Sequence, residues 1–273
     1  IKLVPFQRKK MKYVYHYILS KFVGSLVYGM ANVRKKIINK PLEDFSKPSV
    51  IIANHQSFLD ILALLMLHPK IIMLTNEWVW NSPVFGYVVR LADFQLADNT
   101  PEKIDLLAKQ VKEGYSIMVF PEGTRNKNGQ ISRFHKGAFY LAEQLKLDVL
   151  PIVLHGTGYC MTKGEFLLKN GSITIKILDR IKPDDLSYGI GYSERTTKIS
   201  NYFKTEFANL SQEIETASYY KEQLFNNFIF KGPVLEWYMK IKVRLEKNYT
   251  IYDELIPKNH KILDIGCGYG FLS

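Results

Sequence analysis

The stretch S-V-I-I-A-N-H-Q-S-F-L-D-I-L-A-L-L, residues 49–65, decides the fold class. Residues 49–54 are a short apolar run without alternation, which predicts a strand buried on both faces. Residues 58–67 are apolar with one acid and stop at His68-Pro69, which predicts a helix. A buried strand that passes straight into a helix is the repeating unit of an α/β sheet. The turn between them holds His55, and Asp60 follows five residues later. Along one continuous helix five residues rotate by about 500°, so the two side chains would diverge by roughly 140°. They meet only if His55 lies in the turn and Asp60 in the first helical turn. Ser57 with Asp60 fits S-x-x-D, an N-cap with an acid at the third position, and so starts the helix in the right place. Asp60 has a plainer role open to it, as a capping carboxylate worth about 1 kcal/mol. That role leaves His55 unexplained at the carboxyl end of a buried strand, where α/β folds place their sites.

Outward from this unit the pattern repeats. Strands are predicted at 71–75, 93–97, 116–120, 149–154 and 172–178. Helices are predicted from Ser82-Pro83 to about residue 91, from Thr100-Pro101 to about 113, and over 136–147. Ile199, Phe203, Phe207, Leu210 and Ile214 mark a long amphipathic helix whose stripe reads as core packing. Strands alternating with helices imply a sheet covered on both faces.

Of 273 residues, 47% are hydrophobic and 23% charged, which excludes wholesale disorder. Cys160 and Cys267 stand far apart without a His/Cys cluster, so neither a disulfide framework nor a zinc site is indicated. Nearly all of the +11 net charge lies in residues 1–40, which hold ten Lys or Arg and no acid. A solvated face is the bland reading of such a run. Here the cations bracket an apolar stretch, with Arg8, Lys9, Lys10 and Lys12 before residues 13–30 and Arg34, Lys35 and Lys36 after them. That pattern suits an anionic lipid surface, where each cation contributes about 1 kcal/mol. Nucleic acid is the rival acidic partner, but no nucleic-acid motif accompanies the charge. Residues 13–30 are near the short limit for a bilayer span, and Lys21 sits at the middle. His16, Ser20 and Gly24, with Lys21 and Ser25 beside them, form a polar stripe. Tyr17, Leu19, Phe22, Val23, Leu26 and Val27 form a wide apolar face. The expectation is an amphipathic helix lying in the membrane interface; the alternative is a helix buried against protein.

Two further blocks carry chemistry. F-P-E-G-T-R at residues 120–125 follows a predicted strand, with Gly123 for an unusual backbone turn and Arg125 as a planar fork for phosphate or carboxylate. Ten residues on, F-H-K-G-A at 134–138 adds the cation Lys136 where a helix begins.

Together N-H-Q-S-F-L-D, F-P-E-G-T-R and V-L-P-I-V (149–153, with Pro151) resemble the blocks of the lysophosphatidic-acid acyltransferase family, over roughly residues 10–215. The resemblance implies that His55 is the general base on an acceptor hydroxyl and that Asp60 holds its imidazole. It implies that Glu122, Gly123, Thr124, Arg125 and Lys136 bind the acceptor, and that Pro151 is structural or lines the acyl channel. The implied co-substrate is acyl-CoA or acyl carrier protein, the acceptor is a lipid, and no metal, cofactor or covalent acyl-enzyme is required. One departure bears on the acceptor. The family's second block ends near Asp-Arg, whereas this chain has Asp98-Asn99. A phosphate-bearing acceptor is therefore less secure than acyl transfer itself, and a phenolic or pigment acceptor is the alternative.

K-I-L-D-I-G-C-G-Y-G at residues 261–270 resembles the first motif of class I S-adenosylmethionine-dependent methyltransferases, with Asp264, Gly266, Gly268 and Gly270 as its cofactor-binding positions. The chain stops soon after, and it begins at Ile1, so it is expected to be an excerpt of a longer protein. The resemblance implies a trifunctional protein in which an MMPL-type exporter precedes the acyltransferase and a methyltransferase follows it. The expected organisation is a basic membrane-associating segment at 1–40, an acyltransferase domain at 41–218, and a linker with the start of a Rossmann-like methyltransferase at 219–273. The expected location is the cytoplasmic face of a bacterial inner membrane. An idle lipid-binding scaffold and a thioester hydrolase are the rival functions.

Overall fold

Seven strands form one mixed sheet in the order β1-β7-β6-β2-β5-β3-β4. The computed structural model describes residues 5–83, 85–98, 100–126, 129–165, 167–228, 231–257 and 263. The methyltransferase-like positions Asp264, Gly266, Gly268 and Gly270 lie outside them, as does Asn99. In chain order the elements are α1 (Pro5–Gly29), β1 (Val33–Ile38), β2 (Ser49–Ala53), α2 (Leu59–Leu65), β3 (Ile71–Thr75), α3 (Glu77–Trp80) and α4 (Phe85–Leu91). Then come β4 (Gln95–Leu96), α5 (Pro101–Lys112), β5 (Ser116–Val119), α6 (Gly137–Gln144), β6 (Asp148–His155), α7 (Thr157–Cys160) and β7 (Gly171–Ile177). The helices α8 (Gly191–Ile214), α9 (Ala217–Asn226), α10 (Pro233–Leu245) and α11 (Tyr249–Leu255) follow.

The central strands β2 and β6 are buried along their whole length, as their unbroken apolar runs require. Their residues alternate between two cores. Ile51, Ala53, Leu150, Ile152 and Leu154 face one side, which α1, α2 and α5 cover. Val50, Val149 and Val153 face the other, where Phe134, Phe139, Ile199, Phe203 and Leu210 of α6, α8 and the segment before α6 pack. The stripe on α8 is thus core, as its spacing implied. β2 lies between β5 and β6, parallel to both, so the carboxyl ends of the three open on one edge. β7 runs antiparallel to β6, and β1 runs parallel to β7. The beginnings of β1 and β7 therefore lie on that same edge. Pro151 has no N–H to give the sheet. It sits where the β6–β7 ladder is interrupted, between the bridge Val149–Ile181 and the pair Ile152–Ile177. At Gly156, which ends β6 with φ of 85°, a Cβ would stand 1.9 Å from the Ser172 carbonyl, so only glycine fits.

Three sequence expectations need correction. The basic residues 33–38 are not merely a flank of a lipid-binding segment: they form β1, an edge strand of the sheet. Arg34, Lys35 and Lys36 suit that place, because charge on an edge strand discourages pairing with other chains. The helix expected from Ser82 starts later, at Phe85, as α4, and a separate short helix, α3, precedes it, capped by Asn76 accepting the Val79 N–H at 3.0 Å. The third correction concerns α1, which is helical from Pro5 and buries parts of both its polar stripe and its apolar face against the protein. Its polar stripe faces the protein: His16 and Ser20 are buried, and His16 Nε2–H donates to the Ala92 carbonyl at 2.9 Å between the rings of Phe94 and Tyr115. Val23 and Val27 are buried beside them, and Leu19 is partly buried. Tyr17, Ile18, Phe22 and Leu26 instead point outward and are exposed. Among the described residues no helix is long and apolar enough to cross a membrane.

Candidate active site

The turn after β2 brings His55 and Asp60 together. His55 Nδ1 lies 2.9 Å from Asp60 Oδ2, and the Asp60 side chain is wholly buried. The same Oδ2 accepts the amides of Gln56 at 2.6 Å and Ser57 at 2.7 Å. A carboxylate oxygen that already takes two N–H groups can only accept, so Nδ1 carries the proton and Nε2 is left with its lone pair. Nε2 has no hydrogen-bond partner among the described residues, and the His55 side chain is 14% exposed, open enough for a substrate to reach. The imidazole stacks on the Phe120 ring with centroids 3.9 Å apart and planes 12° from parallel, which fixes its tilt.

The expected S-x-x-D cap is formed in part: Asp60 Oδ2 accepts the Ser57 N–H at 2.7 Å, and Ser57 Oγ accepts the Leu59 N–H at 3.3 Å while donating to the Met161 carbonyl at 2.7 Å, with the helix itself starting from Phe58. Asp60 does hold the turn through Gln56 and Ser57, so its capping role and its hold on His55 coexist in one oxygen.

Glu122 lies beside this turn because β5 neighbours β2, and both of its carboxylate oxygens are taken up by backbone amides. Oε1 accepts the His55 N–H at 2.8 Å and Oε2 the Ser132 N–H at 2.7 Å. Burial raises the affinity of Glu122 for a proton, and these two hydrogen bonds oppose that. Its place makes it a positioning residue for His55. Asn126 adds to the clamp by donating its N–H to the His55 carbonyl at 2.9 Å. Asn54 pins the other side, with its amide bonding Leu154 N–H and carbonyl at 2.8 Å each, as a further strand residue would.

Gly123 has φ of 69°, and a Cβ there would stand 3.3 Å from the His135 ring. Thr124 and Arg125 follow on the exposed side of the turn, and a residue not singled out from sequence joins them. Lys163 Nζ donates to the Arg125 carbonyl at 2.8 Å and to Thr124 Oγ1 at 3.3 Å. The Arg125 guanidinium has no partner among the described residues. Lys136 is exposed at the start of α6, and no hydrogen bond ties it to the others. Nothing local in the sequence marks Lys163, which arrives from the segment after α7. Phe120 was legible only as a strand residue.

Cys160 is fully buried, and burial pushes its thiol up to about 12, which rules it out as a ready thiolate nucleophile. In a second His–carboxylate pair, His155 Nε2 with Glu215 Oε1 at 2.8 Å, the imidazole is buried against Phe207 and Tyr219. The hydrogen bond from His155 is the main cause that lowers the proton affinity of Glu215. Among the described residues no group of three or more His, Cys, Asp or Glu could hold a metal.

A parallel-centred α/β sheet places an oriented imidazole at a strand's carboxyl end with a cationic turn beside it, an arrangement chemically able to serve as a general base near an anionic or polar group. Residues 25–155 match the family model described as Acyltransferase. The chain is 33% identical over 181 residues to the chloroplastic 1-acyl-sn-glycerol-3-phosphate acyltransferase of Arabidopsis thaliana, covering 63% of this chain and 49% of that one. It is 31% identical over 151 residues to the human 1-acyl-sn-glycerol-3-phosphate acyltransferase beta, covering 52% and 54%. The chain thus spans about half the length of the curated relatives it matches. The fold is that of the 1-acyl-sn-glycerophosphate acyltransferase PlsC from Thermotoga maritima, with a TM-score of 0.57 and 20% identity over 74% of this chain and 79% of that one.

Proposed function

We propose that this chain transfers a fatty acyl group from a thioester donor, acyl-CoA or acyl carrier protein, to a hydroxyl of a lysophospholipid-like acceptor. The observation that carries the reading is the His55 Nδ1–Asp60 Oδ2 contact of 2.9 Å, with Nε2 left open. Nε2 takes the proton of the acceptor hydroxyl as its oxygen attacks the thioester carbonyl. Asp60 stabilises the imidazolium that forms, a division of labour familiar from other His–carboxylate pairs. The tetrahedral adduct then collapses, the carbon–sulfur bond breaks, and the imidazolium returns its proton to the leaving thiolate. A base so placed contributes about 10²–10⁴ in rate. Arg125, with Lys136 and Lys163 nearby in the fold, supplies the cationic wall for a phosphate on the acceptor.

The chain works at a lipid surface on this reading, at the cytoplasmic face of a bacterial inner membrane. The exposed outer residues Tyr17, Ile18, Phe22 and Leu26 of α1, close to Lys10 and Lys21, support that docking. The test is acyl transfer by membranes bearing the full chain. Acyl-CoA and acyl carrier protein donors would be crossed with lysophosphatidic acid, other lysophospholipids and phenols, read by mass spectrometry. The expected product is an ester whose formation requires a lysophospholipid. Free fatty acid formed at the same rate without acceptor would make the protein a thioester hydrolase, and an ester only with phenols would replace the acceptor class.

A further inference from the structure

Outside the His55 site, a cavity of about 1120 Å³ lies where the beginnings of β1 and β7 meet α9 and α10. Four cations line it, Arg34, Lys221, Lys240 and Arg244, against two acids, Glu222 and Glu236. Arg34 is already engaged by Glu222 through both of its terminal nitrogens. Lys221, Lys240 and Arg244 are exposed and have no ion pair among the described residues. Trp237, exposed on α10, adds an aromatic face to the wall. An open cavity with surplus guanidinium and ammonium groups and an aromatic wall suits a phosphate-bearing organic anion.

Its place in the sheet says which one. β1 and β7 begin on the edge where β6 and β2 end, with Val33 beside Gly171 and His155 beside Thr174. Strand neighbours lie about 4.8 Å apart, so β7 and β1 stand roughly 10–14 Å across the edge from β2, which carries His55. Of the proposed acceptor cations, Arg125 lies on the F-P-E-G-T-R turn that follows β5, on the opposite flank of β2, and Lys163 reaches that turn from the segment after α7. A molecule with a phosphate-bearing head and a flexible arm can sit in the cavity and bring the end of that arm to His55. Thioester donors of both kinds, coenzyme A and carrier protein, join their phosphate to the thiol through such an arm.

We propose that this cavity receives the phosphate-bearing end of the acyl donor, with Lys221, Lys240 and Arg244 as its anion contacts. The inference rests on the acyl-transfer reading and adds to it a donor site built from residues beyond the matched family region.

The test uses the full chain and the double variant Lys240→Glu/Arg244→Glu, with Lys109→Glu, an exposed cation on α5, as charge control. Binding of free coenzyme A is measured by calorimetry, and KM for acyl-CoA and for acyl carrier protein is measured at fixed acceptor. The expected result is a rise of at least about tenfold in the KM of the donor that uses the site, with kcat and acceptor KM held and the control unchanged. A parallel loss of coenzyme A affinity identifies coenzyme A as the source of the phosphate, and a rise confined to the carrier protein identifies the carrier. Unchanged coenzyme A affinity together with unchanged KM for both donors would overturn the proposal. If unaltered protein transfers nothing yet binds coenzyme A in a manner the double variant abolishes, the cavity stands and the acyl-transfer reading falls instead.

Discussion

Replacing Asp60 with Asn keeps an oxygen for the amides of Gln56 and Ser57 but removes the charge that faces His55 Nδ1. Turnover is expected to fall by about 10²–10⁴, while the loss of a charged cap costs about 1 kcal/mol. Kinetics and a denaturant melt on the same preparation separate the two, and a full rate in the variant would reduce Asp60 to a capping residue. Asp60 Oδ1 is buried with no partner among the described residues, a cost that a fold accepts where a site needs the charge. At this scale the sequence was legible where partners are neighbours in the chain. His55 and Asp60 could be placed from helical geometry alone. Glu122 could be placed beside them but not aimed, since its bonds to the amides of residues 55 and 132 depend on how two loops fold over it. Lys163, and the pair of His155 with Glu215, lie far from their partners in sequence and gave no local sign.

At the scale of the element, α1 makes two separate statements. Its inner face is held by neutral His16, whose proton affinity burial pulls down to about 4. A histidine whose folded pKa lies below its unfolded value stabilises the fold above about pH 6.5. That stabilisation drains away as pH falls from about 6.5 towards 4, because only the unfolded chain takes up the proton. The loss is at most about 3 kcal/mol. His16→Gln should flatten the pH dependence of the melt over that window, and an unchanged slope would contradict it. The outer face of α1 belongs to the membrane reading. Ile18→Glu/Phe22→Glu, both exposed, should lower sedimentation with anionic vesicles several-fold without changing the melting temperature, since each removes buried apolar area and adds a like charge. Undiminished sedimentation would move the docking surface elsewhere. The sequence showed α1 as amphipathic but not which way it faces, because that depends on Ala92, Phe94 and Tyr115 waiting to receive His16. Strands β2, β3, β5 and β6 were legible as apolar runs. β1 was not, because V-R-K-K-I-I reads as charge until β7 supplies its partner.

For the whole molecule, one edge of the sheet gathers the chemistry. The dyad follows β2, the cationic turn follows β5, and the cavity lined by α9 and α10 opens where β7 and β1 begin. The alternation of strands and helices made the sheet and the position of its active edge legible. The antiparallel return of β7 was not, because strand direction leaves no mark on apolar periodicity; it is this return that sets the cavity on the same edge as His55. The most direct measurement compares acyl transfer by the full chain with that of His55→Ala, in the same membranes and with saturating donor and acceptor. The His55 side chain is partly exposed, and the amides of Gln56 and Ser57 still hold Asp60 without it, so the variant is expected to fold. Its transfer rate should fall by at least about a hundredfold. A folded His55→Ala protein that acylates its acceptor at the parental rate would contradict the general-base account.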